Sequence, residues 1–152
     1  MYARFFRWAS DRLGDEGLVA FVTNNSFLET CTFDGFHKSI AKDFSEAWVV
    51  DLKGNARRSG EQRRREGGNI FEDKIKVGVA ITLLVRRKEK QAFKLHYLAV
   101  DDYKRDDDKR SFIARCKLTD EGFTTITPTA AGDWLNQNQG SAWETFLPIV
   151  GG

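Results

Sequence analysis

The sequence predicts an α/β fold: a mostly parallel sheet with a terminal antiparallel hairpin strand, flanked by helices, followed by a less regular C-terminal extension. Three observations carry that prediction. The runs at 18–22 (LVAFV), 47–52 (AWVVDL) and 76–85 (KVGVAITLLV) are almost continuously apolar, the pattern of strands buried on both faces of a parallel sheet. A helical spacing of apolar residues separates the first two runs, and such alternation builds α/β layers. No helical pattern separates the second run from the third. Those two therefore pair as a hairpin, adding an antiparallel strand at the sheet edge.

The elements follow in order. Tyr2, Phe5, Phe6, Ala9 and Leu13 stand at helical spacing, and Gly14 and Gly17 end that helix. After the strand at 18–22 comes Thr23-Asn24-Asn25-Ser26-Phe27, a polar turn sequence. Phe33, Phe36, Ile40 and Phe44 then mark a second amphipathic helix, with His37, Lys38 and Lys42 on its outer face. Beyond residue 86 the pattern weakens. Residues 93–100 (FKLHYLAV) alternate like a strand, DDYKRDDDKR reads as a solvated face or short surface helix, and GFTTITP hints at one more strand. Residues 1–90 read as one α/β unit and 91–152 as an extension or the start of another domain. Trp134, Trp143 and Phe146 need something to pack against.

A chain of 152 residues, 41% hydrophobic and 30% charged, has the size and composition of one globular domain. Two cysteines, Cys31 and Cys116, make no disulfide framework. No signal peptide or membrane-length apolar stretch is visible, so the expected location is cytoplasmic, with no membrane partner. The net charge is only +2, yet residues 53–69 gather Lys53, Arg57, Arg58, Arg63, Arg64 and Arg65 against Glu61 and Glu66 alone. Positive charge is concentrated in one long connection between two apolar strands. Connections of that length inside a compact domain are functional or disordered.

Absent motifs exclude several chemistries. There is no dinucleotide fingerprint, no Walker loop and no nucleophile elbow. Cys31–His37 and His96–Cys116 are not spaced like zinc ligands. One weak enzyme pattern survives: Asp51-x-Lys53 at a strand end could hold a metal ion and a polarising cation, as in some nucleases. The alternative is that Asp51 ends its strand and binds nearby backbone amides, and the residues favour that.

The combination FFRWASDRLGDEGLVAFVTNNSFL, FDGFHKSIAKDF, VVDLKGNARRSGE, REGGNIF and VGVAITLLVRR resembles the second half of the methyltransferase domain of adenine-specific (N6) DNA methyltransferases. It is most similar to the large single-chain restriction–modification enzymes of the type ISP kind. The match covers residues 2–87, with GDWLN at 132–136 as a further echo. GLVAFVTNNSFL looks like that family's fifth strand and the loop leaving it, and NIF with VGVAITLLV like the last hairpin strand of a partial Rossmann-like methyltransferase sheet. In this family a glycine-rich loop holds S-adenosylmethionine and an Asn-Pro-Pro-Tyr motif holds the target adenine, both upstream of the matched region. This sequence has only Pro128 and Pro148, so it lacks the motif. The resemblance implies an inactive C-terminal half that binds no methyl donor alone and needs the missing N-terminal half, in the same chain or a separate subunit.

Within that frame, Lys53, Arg57, Arg58, Arg63, Arg64 and Arg65 are candidate phosphate contacts on DNA, since enzymes that flip a base must hold the deformed duplex. Asn24, Asn25, Ser26 and Phe27 are candidates for the target-base pocket. They sit at the carboxyl end of a strand, with amides suited to a base edge and an aromatic ring suited to stacking. On residues alone, a plain turn explains the same stretch. The runner-up function is a stand-alone nucleic-acid-binding α/β module without catalysis.

Overall fold

A computed structural model describes residues 2–29, 33–89 and 91–135. Its elements run α1 (Tyr2–Arg12), β1 (Gly17–Asn24), a single 3-10 turn (Ser26–Leu28), α2 (Asp34–Asp43), β2 (Glu46–Asp51), α3 (Gly60–Glu66), β3 (Val79–Arg86), β4 (Lys94–Ala99), α4 (Asp106–Arg115) and β5 (Thr124–Ile126). The five strands form one sheet in the order β1-β3-β2-β4-β5. β1, β2 and β4 point the same way, while β3 and β5 are antiparallel to their neighbours. The hairpin of β2 and β3 forms as expected, but β3 is not at the edge: it is inserted between β1 and β2. Its run of apolar side chains on both faces suits that interior place.

The division expected at residue 90 falls inside this sheet. β4 and β5 follow it in sequence, yet β4 pairs in parallel with β2 over the full length of both strands.

Register decides which residues meet. Val19 lies beside Leu84, which lies beside Ala47, which lies beside Leu95. Because alternate residues share a face, this row defines one side of the sheet. α1 and α2 cover it through Phe6, Ile40 and Phe44. Aromatic rings fill the space between: Phe6 meets Phe21 at 4.6 Å and Phe36 at 5.2 Å, and Tyr2 stacks on Phe33. The opposite face is covered only in part. Ile70, Ile75, and Phe112 and Ile113 of α4 pack over Val50 and Val79, whereas Leu18 and Val22 on β1 stay more than half exposed. The expectation of a strand buried on both faces therefore fails for β1, whose second face is bare.

Two aromatic predictions are settled by packing. Trp134 is buried in the main core and stacks on His37 with ring centroids 4.2 Å apart; Trp143, Phe146 and Cys31 lie outside the described residues. His37, expected on the solvated side of α2, is instead buried. Its Nε2 lies 2.7 Å from the Phe27 carbonyl and its Nδ1 2.9 Å from that of Gly132. Burial lowers its pKa, while the two carbonyl oxygens pull the other way. His37 follows Phe33 by four positions and so falls on the same apolar stripe; the later turn at Gly132 supplies its cover.

Candidate nucleic-acid interface

The two stretches singled out in the sequence meet at one end of the sheet. β1 and β2 are both antiparallel to β3, so their carboxyl ends, Asn24 and Asp51, emerge together. Asn25 Nδ2 donates to Asp51 Oδ1 at 3.0 Å. The same oxygen accepts the backbone N–H of Lys53 at 3.0 Å, and Asp51 Oδ2 accepts the hydroxyl of Tyr97 at 2.8 Å. β4 carries Tyr97 beside Val49, which puts it diagonally next to Asp51 on the same face. Burial, and next the Asp51 carboxylate, raise the Tyr97 pKa, so the phenol stays a donor.

Asp51 is thus a buried carboxylate with three donors directed at it. Lys53 turns its ammonium away, to Asp102 at 2.6 Å. Asp51 ends its strand and accepts one backbone amide, that of Lys53, together with two side-chain donors. Among the described residues no group of three His, Cys, Asp or Glu side chains is close enough to hold a metal ion.

The other residues of the β1 exit divide. Asn24 Oδ1 accepts the N–H of Ser26 at 2.6 Å, which closes a tight turn. Ser26 Oγ lies 3.0 Å from the Tyr2 hydroxyl. Phe27 is fully buried among Tyr2, Phe6, Phe36, His37 and Trp134. It offers no face for a base to stack on; it anchors the turn to the core.

The basic connection contains a short helix, α3, and several fixed polar contacts. α3 forms within it because Glu61 sits in the first turn and Arg63, Arg64 and Arg65 in the last, signs that suit the helix dipole. Gly67, at φ +67°, ends it. Glu66 organises the connection: its carboxylate accepts the Asn55 N–H at 3.0 Å and pairs with Arg58 at 3.1 Å, and its carbonyl accepts from Lys109. Arg58 also reaches Glu29, just past the β1 exit, at 3.1 Å. The six candidate cations therefore separate. Lys53 and Arg58 are held in ion pairs, and Arg63 donates to the Gly67 carbonyl at 2.7 Å. Arg57, Arg64 and Arg65 are exposed, the last two only loosely paired with Glu61 at 3.8 Å.

Sequence reasoning missed Tyr97, Glu66 and Lys109, as well as two exposed lysines beside the connection. The Lys76 carbonyl accepts from Ala56, and that of Lys104 from Gly68. Lys109 is the least expected: a fully buried ammonium from α4, donating to the carbonyls of Glu66 and Gly68. No local signal could have shown it, since its acceptors lie about forty residues earlier and are backbone atoms.

No family model matches the sequence, and no curated protein does. Solved structures do. The chain is 48% identical to the protein in a cryo-EM structure of a DrdV–DNA complex, over 97% of this chain and 14% of that one, with a TM-score of 0.87. It is 32% identical to a nuclease-deletion mutant of the Type ISP restriction–modification enzyme LlaGI, solved with a DNA substrate mimic, over 92% of this chain and 13% of that one, at a TM-score of 0.80. The chain is similar to a segment of the Type ISP restriction–modification enzymes. A third structure, the ATP-dependent Type ISP enzyme LlaBIII bound to DNA, agrees at 33% identity, covering 90% of this chain and 9% of that one, with a TM-score of 0.76. The chain spans about a seventh of these proteins' length or less.

Proposed function

We propose that this chain is the DNA-contacting C-terminal half of an adenine N6-methyltransferase domain in a cytoplasmic, Type ISP-like restriction–modification protein. Arg57, Arg64 and Arg65 hold phosphates, and the β1 exit at Asn24, Asn25 and Ser26 lines the target-base pocket. The observation that carries this reading is the convergence of both stretches: the Asn25–Asp51 hydrogen bond and the Arg58–Glu29 ion pair tie the β1 exit to the basic connection. A base drawn out of a duplex and the phosphates beside it must be held within a few ångströms of each other. Similarity along nearly the whole chain to proteins solved with DNA supports the same partner.

The outer edge of β1 and the bare Leu18 and Val22 support a sheet that continues past β1, where the N-terminal half of the domain would add strands and cover. Among the described residues the one adjacent glycine pair, Gly67 and Gly68, packs against the backbone of Lys104, Arg105 and Asp106 and so is not an open loop of the kind that holds S-adenosylmethionine in this family. The donor and the Asn-Pro-Pro-Tyr loop belong to the missing half.

The test is the salt dependence of duplex DNA binding by the protein with and without Arg57→Ala, Arg64→Ala and Arg65→Ala together. If these cations neutralise phosphates, the slope of log K against log salt becomes shallower by roughly 0.9 for each phosphate no longer held. An unchanged slope overturns the phosphate role. Tight DNA binding by the isolated chain, without any partner half, would favour the stand-alone module.

A further inference from the structure

Tyr103 stands where core packing does not ask for a tyrosine. Its φ of +65° lies in the left-handed region, uncommon for a bulky side chain, and the residue is 58% exposed. The backbone around it is held from three sides. Its N–H donates to the Arg65 carbonyl at 3.0 Å, the Lys104 carbonyl accepts from Gly68 at 3.0 Å, and the Asp102 carboxylate is bound by Lys53 at 2.6 Å. Surroundings that over-determine a residue in this way keep it strained. The result brings the Tyr103 hydroxyl to α3, where it donates to Glu61 Oε1. Three donors then converge on one carboxylate, since Arg65 Nε lies 3.8 Å from Oε1 and Arg64 lies 3.8 Å from Oε2. The two arginines are ordinary helix neighbours of Glu61. Tyr103, which comes from another segment of the chain, is not.

We propose that Tyr103, Arg64 and Arg65 form one phosphate site on the nucleic-acid face, and that Glu61 occupies it in the free protein and is displaced when a backbone phosphate binds. This rests on the reading that Arg64 and Arg65 hold phosphates. All four side chains are exposed, so their mutual contacts contribute little to stability and the cluster is open to a ligand. A phosphodiester offers what the carboxylate offers: one negative charge and two acceptor oxygens, suited to guanidinium and hydroxyl donors. The bond to Glu61 raises the Tyr103 pKa, which keeps the phenol a donor for whichever anion is present. Glu61 thus gathers the donors in one place and competes with DNA for them.

The experiment measures binding of a fluorescent duplex by anisotropy for the wild type, Glu61→Gln, Tyr103→Phe and the two changes together. Asp107→Asn is the control, because it removes another exposed carboxylate, one paired with Arg110 instead. Glu61→Gln alone should tighten binding roughly fivefold, the effect of losing one charge about 4 Å from a cation in water, and about twofold or less once Tyr103→Phe has removed the contested hydroxyl. Asp107→Asn should change affinity by less than about twofold, since a more distant charge is screened. Both test substitutions keep the side-chain shape at exposed positions, so the fold is undisturbed. No tightening, equal tightening with and without Tyr103→Phe, or the same gain from Asp107→Asn overturns the proposal. The phosphate reading survives those outcomes if Arg64→Ala with Arg65→Ala still makes the salt slope shallower. An unmoved slope, or no DNA binding at all, overturns both.

Discussion

The ammonium of Lys109 lies 2.6 Å from the carbonyl oxygen of Gly68 and 2.8 Å from that of Glu66. A fully buried lysine from α4 thus closes the C-terminal end of α3, where backbone carbonyls lack helical partners. The same junction is tightened by Gly68 N–H to the Lys104 carbonyl and Tyr103 N–H to the Arg65 carbonyl, both at 3.0 Å. The basic helix is docked on the C-terminal part of the chain through its backbone, leaving the guanidinium groups of Arg64 and Arg65 outward.

Burial depresses the Lys109 pKa to about 8, against a partial pull upward from Glu66. An unfolded lysine titrates near 10.4. Between those values the unfolded chain holds a proton that the folded chain has released, so Lys109 makes stability rise with pH across that window. Urea unfolding of the wild type and Lys109→Met at pH 7.5 and pH 10 should show their difference moving in favour of the wild type by about 1–3 kcal/mol. Parallel curves at the two pH values would mean that Lys109 is not buried as a charge.

Gly67 and Gly60 bound the same helix and predict opposite tolerances. Gly67 has φ +67°, ψ −155°, a region open in practice to glycine alone, and a Cβ there would lie 1.9 Å from the Lys104 carbonyl oxygen. Gly60 has φ +57° with nothing within 4 Å of an added Cβ. Gly67→Ala should cost roughly 2–4 kcal/mol in unfolding free energy, and Gly60→Ala only about 1 kcal/mol. Equal losses would show that α3 is not seated on Lys104.

The cations of the connection should respond in two classes. Lys53→Ala removes the partner that holds the Asp102 carboxyl below its usual range, and Arg58→Ala removes the link between Glu29 and Glu66. Both changes should lower stability only slightly, as exposed ion pairs contribute little, and leave the salt slope of DNA binding nearly as it was. Arg64→Ala and Arg65→Ala should do the reverse. A salt slope that falls equally for all four would put the paired cations on the DNA as well.

Much of this was legible in the sequence, and what was not has a common cause. Helices α1 and α2 and strands β1 to β4 follow from apolar spacing, because each buries at least one side in the main core. The order of the sheet was not legible. A hairpin fixes that β3 pairs with β2, but only the second partner, β1, places it inside. The charge run at 101–110 contains the start of α4, whose burial of Lys109 runs against the rule that charges stay solvated. At the candidate site, Asn24, Asn25 and Asp51 could be picked out as polar residues at strand ends. Tyr97 could not, since only the parallel register of β4 on β2 brings it to Asp51.

The bare side of β1 makes a last prediction. Leu18 and Val22 are 63% and 56% exposed on the face opposite α1, and Phe5 and Trp8 are each 57% exposed on α1 itself. Among the described strands β1 pairs only with β3, so its outer edge leaves backbone donors and acceptors open between two apolar surfaces. Such an edge pairs with whatever strand is at hand, and the apolar surface beside it adds a driving force for association. The isolated chain should therefore self-associate as its concentration rises. Leu18→Lys with Val22→Lys should return it to monomer, since a charge on each side of the exposed face repels a second copy. Because both side chains are already mostly in water, the monomer's melting temperature should stay close to that of the wild type. Sedimentation equilibrium measures the first effect and thermal unfolding the second. A wild-type chain that stays monomeric at high concentration would mean that the edge of β1 is protected by this chain alone.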